Sequence, residues 1–349
     1  MTYIEDLLSV ARLNLPWEKL KDANILVTGA TGLIGGCLVE VLMGNPNMNY
    51  HVYAAGRNEQ RARSRFKKFA DNKSFHFLRY DVLTPLESDI CFDYIIHAAS
   101  NSSPNFFANK PVEVMKSNIL GVSNLIEYGL AHGMKRFLFV SSGEIYGEGD
   151  GRVFTEDYSG YVDCTSPRSA YPSSKRAAET ICVSYADEYG CDIVIARPCH
   201  VYGPGFTESD NRVYAQFIRN VLNREDIVMK SSGEQFRSWC YVVDCVSAFL
   251  YILLKGKRQQ AYNVADETSN IQIKELANMI ASISNCKVRI ELPPMSEKKG
   301  YNVVTKSIYS TQALNSLGWH PLEGSMKEKM ERTLTFYSKY FHHEENDKQ

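Results

Sequence analysis

The sequence lacks the features that mark several classes of protein. Its nine cysteines are scattered and never spaced C-x-x-C, which argues against a disulfide framework and against a zinc site. Lysine and arginine total 39 and aspartate and glutamate total 40, so the global charge indicates neither nucleic acid nor an anionic membrane as the main partner. We therefore expect reduced thiols, no metal site and no nucleic-acid partner, and any anionic ligand must be held by local groups.

Long apolar runs are missing as well. No segment reaches the roughly 18 apolar residues that a membrane span needs. The first 22 residues lack the hydrophobic core and the small-residue cleavage site of a signal peptide. We therefore expect a cytoplasmic location without a membrane partner. The chain does have enough apolar residues for a full hydrophobic core, because they make up 44% of its 349 residues.

Short apolar runs alternate with longer helical patterns through the first part of the chain. The predicted strands are NILVTG from Asn24, HVYAAG from His51, FHFLRYD from Phe75, DYIIHAA from Asp93, RFLFVSS from Arg136 and DIVIARP from Asp192. Their near-continuous hydrophobicity is typical of strands covered on both faces, and the segments between them are long enough for parallel crossovers. The fold class is therefore α/β, with a doubly wound parallel sheet of the Rossmann type.

The pattern loosens near residue 204 and suggests a division of the chain. We predict an N-terminal extension at residues 1–23, a large α/β domain over 24–203 and a smaller substrate-binding lobe over 204–340. Residues 240–265 should return to the first domain, since the strand-like AYNVAD begins at Ala261. The charged tail, residues 341–349, is expected to fray.

A glycine-rich stretch, VTGATGLIGG, follows the first predicted strand and opens a helix. Gly29, Gly32 and Gly35 would permit a tight turn there. They would also let backbone N–H groups and the helix N-terminus approach a pyrophosphate. In this strand–turn–helix context the motif predicts a bound dinucleotide, NAD or NADP.

The ends of the next strands bear on which dinucleotide binds. An NAD-preferring site usually carries an acid at the end of the second strand, but this chain has Arg57, which can neutralise a 2′-phosphate and so favours NADP. Asp81, after the third strand, is expected to accept from the adenine amino group or to cap a helix. HAAS ends the fourth strand with Ala98, Ala99 and Ser100, small residues past which a flat ring can lie.

A second motif, YPSSK, places Tyr171 and Lys175 four residues apart on one face of a helix. A phenol with its ordinary pKa of about 10 is a poor base at neutral pH, and a neighbouring ammonium would lower that pKa. A tyrosine so tuned can take a proton from an alcohol while hydride leaves the same carbon. Ser142, in SSGEIYG after the fifth strand, is placed to hydrogen-bond the reacting oxygen.

The motifs TGATGLIG, HAAS, SSGEIYG, YPSSK and RPCHVYGPG together resemble the extended short-chain dehydrogenase/reductase family, in its nucleotide-sugar epimerase and dehydratase group. The resemblance runs from about Asn24 to about Phe336. It implies Tyr171 as the acid/base, Lys175 as its pKa partner and a ribose contact, and Ser142 as the hydroxyl that steadies the C4 oxygen. The implied cofactor set also contains Thr31, Leu33, Ile34, Val82, Asn118, Pro198, His200 and Val201.

Within that family, HAASNSSPNFFANKP, SPRSAYPSSKRAAET and NRVYAQFI look most like UDP-glucuronate decarboxylases, with 4,6-dehydratases next. The match implies a nucleotide-diphosphate sugar as substrate, held by Arg212 and Arg237, since guanidinium groups suit a diphosphate. It also implies a homodimer, paired through the helix after the fourth strand and the helix that carries Tyr171. Near the C-terminus the chain departs from the pattern, because Lys306 and Tyr309 stand where an arginine and an acid are common.

Two residues bear on the reaction that follows oxidation at C4. Dehydratases of the family carry an Asp-Glu pair after the serine or threonine, as acid for the leaving C6 hydroxyl and base at C5, but here the pair is Gly143-Glu144. Elimination by the usual route is therefore disfavoured, whereas a β-keto acid loses carbon dioxide without that acid. The leading prediction is an NAD(P)-dependent enzyme similar to UDP-glucuronate decarboxylases. An NADPH-dependent 4-keto-sugar reductase, a 4,6-dehydratase, a C4 epimerase and a non-catalytic dinucleotide-binding sensor remain open.

Overall fold

The computed structural model describes residues 1–292 and 305–346, so the polar stretch PPMSEKKGYN lies outside the described residues. The helices are α1 (Tyr3–Ala11), α2 (Leu33–Met43), α3 (Glu59–Arg65), α4 (Pro104–Asn109), α5 (Pro111–Ala131), α6 (Ala170–Tyr189), α7 (Val213–Leu222), α8 (Val242–Lys255), α9 (Ile273–Ile283), α10 (Gln312–Asn315) and α11 (Met326–Asn346). The strands are β1 (Asn24–Thr28), β2 (His51–Gly56), β3 (Phe75–Arg79), β4 (Tyr94–His97), β5 (Arg136–Val140), β6 (Ile193–Pro198), β7 (His200–Tyr202), β8 (Ile227–Met229), β9 (Phe236–Tyr241), β10 (Ala261–Val264), β11 (Asp266–Gln272), β12 (Val288–Ile290) and β13 (Lys306–Ser307). Short 3₁₀ helices lie at Trp17–Leu20, Lys67–Phe69, Gly143–Tyr146 and Pro167–Ser169.

The central sheet is parallel, with the strand order β10-β6-β5-β4-β1-β2-β3. This order reverses between β1 and β4, which confirms the predicted doubly wound α/β fold. The strands begin at or next to the predicted residues, but β4 ends at His97 and β5 at Val140. HAAS and SSGEIYG therefore lie mainly in the loops beyond the carboxyl ends of these strands, where open α/β sheets bind their ligands.

Helices cover both faces of this sheet, and β1 shows why. Ile25 and Val27 pack in the cluster that contains α2 and α8, whereas Leu26, between them, packs in the cluster that contains α5 and α6. Successive strand side chains point to opposite faces, so a strand between two helical layers must be apolar at every position. The continuous apolar run at β1 follows from this double coverage.

The long helix α5 begins and ends where the sequence predicts. Pro111 occupies its first turn, where the missing N–H costs nothing. Gly133, just past its end, has φ +71°, the left-handed conformation that glycine adopts most easily. α5 packs along α6, the helix that carries Tyr171.

The C-terminal part builds a smaller sheet around β9, which pairs with β11, β13 and β7, while β8 pairs with β12. After β9 the chain returns to the large sheet, because α8 packs on α2 and β10 pairs with β6. Helix α11 continues to Asn346, into the predicted tail, and residues 347–349 lie outside the described residues.

The N-terminal helix α1 is tied to the core by a buried carboxylate. Asp6 is fully buried and accepts hydrogen bonds from Arg332 Nη1, at 2.8 Å, and from the Tyr241 hydroxyl, at 3.1 Å. Tyr3 adds a hydrogen bond to Glu40 on α2, at 2.7 Å. Among the helices of residues 1–292 and 305–346, none combines the length and apolarity needed to cross a membrane.

Candidate active site

The glycine-rich turn between β1 and α2 is shaped by close backbone approaches. Gly29 has φ +67°, and a Cβ there would lie 2.8 Å from the backbone of Ala98 and Ala99. A Cβ on Gly35 would lie 2.8 Å from the Gly29 carbonyl carbon and closer still to its oxygen. Both positions therefore exclude any side chain, and the first turn of α2 is brought directly against the ends of β1 and β4.

A cavity of about 990 Å³ opens beside this turn. Its wall includes the predicted cofactor residues Gly29, Thr31, Gly32, Leu33, Ile34, Gly35, Arg57, Asp81, Val82, Ala98, Ala99 and Ser100. A Cβ on Gly32 would have one heavy atom within 4 Å, the Gly29 oxygen at 3.3 Å, so the backbone here is open to the cavity. The first amides of a helix have no partner within the helix, so this cradle fits the pyrophosphate of a dinucleotide.

Arg57 lies at the edge of the same cavity, and its side chain is 61% exposed. Its Nη1 lies 3.7 Å from a carboxylate oxygen of Glu113 and 4.0 Å from one of Asp81. Asp81 Oδ1 also accepts from the Leu83 amide, at 3.1 Å, so its carboxylate closes a turn rather than capping a helix. Arg57 is thus a loosely paired cation facing the cavity.

Tyr171 and Lys175 lie in the first turns of α6, and both are buried. Lys175 Nζ donates to the Val140 carbonyl at 2.8 Å and lies 5.9 Å from the Tyr171 ring centre. Burial lowers the pKa of Lys175 to about 7. The predicted role of Lys175 as the pKa partner of Tyr171 depends on its protonated form, and burial disfavours that form.

The pKa of Tyr171 is raised to about 12, first by burial and then by the charge of Glu144. Hydrogen bonding to the hydroxyls of Ser142 and Ser100 acts in the opposite direction. The lowered pKa that the sequence led us to expect for Tyr171 is therefore not found, because burial and the charge of Glu144 outweigh these hydrogen bonds. The structure brings Ser142, Tyr171 and Lys175 together as predicted from the motifs.

A chain of hydrogen bonds connects the cofactor cavity to the turn that carries Tyr171. Ser100 Oγ donates to Asn118 Oδ1 at 2.8 Å, and Asn118 Nδ2 donates to Ser174 Oγ at 2.9 Å. Ser174 Oγ in turn donates to the Tyr171 carbonyl at 3.0 Å. Asn118, predicted as a cofactor residue, is buried off the cavity wall and reaches the cavity through Ser100.

Glu144 is held by Arg168, a residue outside the predicted site. The two side chains form a bidentate ion pair, with N···O distances of 3.0 and 3.1 Å. The Arg168 guanidinium lies 5.1 Å from the ring centre of Phe107, which itself stacks on Tyr171. Both residues lie in motifs that resemble UDP-glucuronate decarboxylases, Arg168 in SPRSAYPSSKRAAET and Phe107 in HAASNSSPNFFANKP, but those motifs assign a role to neither. The sequence signal for Arg168 is its position three residues before Tyr171.

Arg65 is a further residue that the motifs do not mark. Its Nη1 donates to the carbonyls of Gly32, at 2.7 Å, and Gly205, at 3.2 Å. A Cβ on Gly36 would collide with its guanidinium. Arg65 therefore joins the glycine-rich turn to the loop that follows β7.

The two predicted substrate arginines lie in different surroundings. Arg212 caps α7, lines the cavity and is held by Asp210 through Nε, at 3.0 Å. Arg237 is buried on β9, where burial lowers its pKa while the neighbouring Tyr309 and Glu144 act to raise it.

The last predicted cofactor residues lie off the cavity wall, near the small sheet. Pro198 ends β6, and His200 and Val201 belong to β7. The His200 ring lies 5.2 Å from that of Trp239, and burial followed by the charges of Arg237 and Arg212 lowers its pKa to about 3. The role of these three residues in binding the cofactor stays a prediction.

The model of the NAD dependent epimerase/dehydratase family matches residues 25–265. The chain belongs to this family. It is 33% identical over 298 residues to UDP-glucuronic acid decarboxylase 6 of Arabidopsis thaliana, covering 85% of this chain and 84% of the relative. Family membership confirms the predicted class of enzyme and of cofactor, an NAD-dependent epimerase/dehydratase.

Solved structures of the family share this fold. UDP-glucose 4-epimerase of Thermotoga maritima, solved with UDP-glucose, superposes with a TM-score of 0.77 at 26% identity, covering 91% of this chain and 99% of the other. The dTDP-glucose 4,6-dehydratase of Bacillus anthracis, solved with NAD, also superposes with a TM-score of 0.77, at 20% identity. The match covers 91% of this chain and 97% of the other. At that identity the dehydratase supports the fold alone.

Proposed function

We propose that the protein binds a nucleotide-diphosphate sugar, oxidises its C4 hydroxyl and removes the carboxyl group on C5, as a UDP-glucuronate decarboxylase does. The observation that carries this proposal is the cluster of Ser142, Tyr171 and Lys175 at the sheet edge where the cofactor cavity opens. The similarity to plant UDP-glucuronic acid decarboxylases over most of both chains supports the same reaction.

The chemistry follows from what these side chains offer. A bound nicotinamide would accept hydride from C4 and return it to C4 after carbon dioxide has left. Tyr171 takes the hydroxyl proton, while Ser142 donates to the C4 oxygen and holds it in place. A ketone at C4 makes the C6 carboxylate a β-keto acid, so the C5–C6 bond breaks with loss of carbon dioxide and the electron pair moves onto the C4 oxygen. The Tyr171 and Ser142 hydroxyls stabilise that oxygen as its charge develops. A proton then takes the place of the carboxyl group on C5, and Tyr171 gives its proton back to the C4 oxygen when the ketone is reduced.

Lys175 supports this proton transfer without contacting the sugar of the substrate. Its ammonium lies near the Tyr171 ring and is held by the Val140 carbonyl. A positive charge at this position favours the phenolate form of Tyr171 over the neutral phenol. Lys175 is therefore assigned to pKa tuning and to a ribose contact.

Arg57 favours a second candidate, an NADPH-dependent 4-keto-sugar reductase. The exposed guanidinium faces the cavity, and its ion pairs with Asp81 and Glu113 are long enough to be exchanged for a 2′-phosphate. Arg57→Ala should weaken NADP binding by about tenfold and leave NAD binding nearly unchanged, as measured by calorimetry. Equal effects on both cofactors would contradict the assignment.

We also propose a homodimer through α5 and α6. These two helices pack against each other, and both expose apolar side chains. A second copy of the chain would shield these side chains from water. The exposed residues are Val112, Met115, Leu120, Val183 and Tyr189. Light scattering should report twice the chain mass, and Leu120→Lys should shift the protein toward the monomer.

The reaction is tested by incubating the purified protein with UDP-glucuronate, dTDP-glucose, CDP-glucose and GDP-mannose, with and without NADPH, and analysing product masses. Loss of carbon dioxide from UDP-glucuronate is expected. Loss of water would indicate a dehydratase, and a gain of two hydrogens that needs NADPH would indicate the reductase. Unchanged masses with an altered sugar configuration would indicate an epimerase.

Three variants separate the catalytic assignment from a binding-only role. Tyr171→Phe should lower turnover by about 10²–10⁴-fold while cofactor still binds. Ser142→Ala should lower it as well, whereas Ser141→Ala should not, because the buried Ser141 hydroxyl has no hydrogen-bond partner among the described residues. Full turnover by Tyr171→Phe would favour the dinucleotide-binding sensor.

A further inference from the structure

Tyr309 occupies a fixed position beside the candidate active site. It follows β13 and is 3% exposed, with its ring in a cluster with Tyr146, at 5.7 Å, and Phe154, at 5.6 Å between ring centres. Its backbone N–H donates to Ser238 Oγ on β9, at 3.2 Å. Packing therefore holds the ring of Tyr309, and the hydrogen bond to the small sheet holds its backbone.

The phenol of Tyr309 points at Gly143. A Cβ at residue 143 would lie 2.5 Å from Tyr309 Cζ and closer still to the hydroxyl oxygen, so no side chain fits there. Residue 143 stands between Ser142 and Glu144, at the start of the 3₁₀ helix after β5. Tyr309 thus fills the space that a side chain at residue 143 would take.

The hydroxyl of Tyr309 in this space is a hydrogen-bond donor that stays protonated. It lies 2.8 Å from Ser307 Oγ, and Ser307 is in register with Arg237 across β13 and β9. Burial raises the pKa of Tyr309 well above its ordinary value. The hydroxyl therefore stays neutral, which makes it a poor proton donor to a leaving group but a permanent hydrogen-bond donor.

A cation lies on the same side of the site. Arg237 is buried, and Tyr309 and Glu144 are the groups whose charges act on it. In the dehydratases that the chain resembles, the residue after the serine or threonine acts on the C6 substituent, so with Ser142 at the C4 oxygen we expect residue 143 to face the group attached to C5. A neutral hydroxyl donor there suits a carboxylate on C5, while Arg237 keeps its predicted role at the diphosphate.

We propose that Tyr309 is a specificity-determining residue, whose hydroxyl replaces the side chain of residue 143 and donates a hydrogen bond to the carboxylate on C5 of the sugar. This inference rests on the proposed function, since it assumes that Ser142 binds the C4 oxygen. It also gives a physical reason for the glycine at 143, because Tyr309 and a side chain at that position exclude each other.

The binding test compares two ligands that differ only at C5, UDP-glucuronate and UDP-xylose, which lacks the carboxyl group. By calorimetry in a Tyr171→Phe background, which binds without turnover, Tyr309→Phe should weaken UDP-glucuronate binding by about tenfold or more and leave UDP-xylose binding unchanged. Tyr158→Phe is the matched control, because it removes a hydroxyl from the same aromatic cluster, where that hydroxyl donates to the Glu148 carbonyl. It should change neither affinity.

A second measurement tests the contact with Gly143 by itself. Gly143→Ala should lower the denaturant midpoint in the wild-type background and lower it less in a Tyr309→Ser background, where the space is open. Equal losses in both backgrounds would overturn the exclusion argument. If Tyr309→Phe discriminates between the two ligands as the wild type does, the specificity role is wrong while the proposed function stands. Wild-type protein that binds neither ligand would overturn the proposed function itself.

Discussion

The ring of Phe107 stacks on the ring of Tyr171, with centroids 4.4 Å apart and planes 17° from parallel. Phe107 belongs to the short helix α4 and is almost completely buried. The Arg168 guanidinium lies against the same phenylalanine while it pairs with Glu144. We therefore expect Phe107 to leave this position when a sugar binds at Tyr171.

Phe107→Ala is therefore expected to strengthen binding of the nucleotide sugar. A stacked aromatic pair contributes about 0.5–1.5 kcal/mol, and the wild type must give this up before the sugar enters. The apparent affinity should rise by up to about tenfold in calorimetry, while Phe107→Tyr, which can still stack, should bind as the wild type does. Weaker binding by Phe107→Ala would instead show that the ring contacts the sugar.

Glu144→Gln is expected to shift the pH profile of kcat/KM. After burial, the negative charge of Glu144 is the next contribution that raises the pKa of Tyr171, because it disfavours the phenolate. Removing the charge lowers that pKa, so the acidic limb of the profile should move to lower pH. Glu148→Gln, an exposed acid of the same loop, should leave the limb in place. A shift to higher pH would contradict this assignment.

Asp6→Asn is expected to destabilise the fold, although Asp6 lies far from the active site. The substitution leaves the Arg332 guanidinium buried without its counter-ion, at a cost of about 3–5 kcal/mol in the free energy of unfolding. The double variant Asp6→Asn/Arg332→Met should lose less, as measured by urea unfolding. The control is Glu5→Gln, which changes the exposed acid next to Asp6. An equal loss of unfolding free energy in this control would contradict the assigned role of the Asp6–Arg332 pair.

His97 is expected to make stability depend on pH. Burial, and then the charge of Lys175, lowers its pKa from 6.5 to about 3, and its Nδ1 lies 2.7 Å from Thr28 Oγ1. Between these pH values the unfolded chain binds a proton that the folded chain does not. The free energy of unfolding therefore falls as pH falls below 6.5, by up to about 1.4 kcal/mol per pH unit.

Urea unfolding at several pH values tests this dependence. His97→Asn should reduce the decline in stability below about pH 6 by the contribution of one proton and leave the contribution of buried His200, whose pKa is also lowered to about 3. His320→Asn removes an exposed histidine and should leave the decline unchanged. Identical slopes for the wild type and His97→Asn would show that His97 does not carry the effect.

Local sequence patterns were sufficient for the fold and for part of the site. The apolar run at Asn24–Thr28 predicts a strand covered on both faces, because every position must be buried in such a strand. Gly29 and Gly35 are predicted because only glycine permits the backbone approaches found there. Tyr171 and Lys175 are predicted because one helical turn brings residues four apart onto the same face.

The sequence by itself thus determined the sheet, the glycine-rich turn and the pairing of Tyr171 with Lys175 on one helix face, since each depends on backbone geometry over a few neighbouring residues. The contacts of Phe107 with Tyr171, of Arg168 with Glu144 and of Tyr309 with Gly143 were decided only by the tertiary structure. They form where separate elements meet, and no local periodicity encodes which side chains then touch. In the sequence, Gly143 is interpreted as the absence of an acid. In the structure, Tyr309 fills the space that a side chain at residue 143 would occupy.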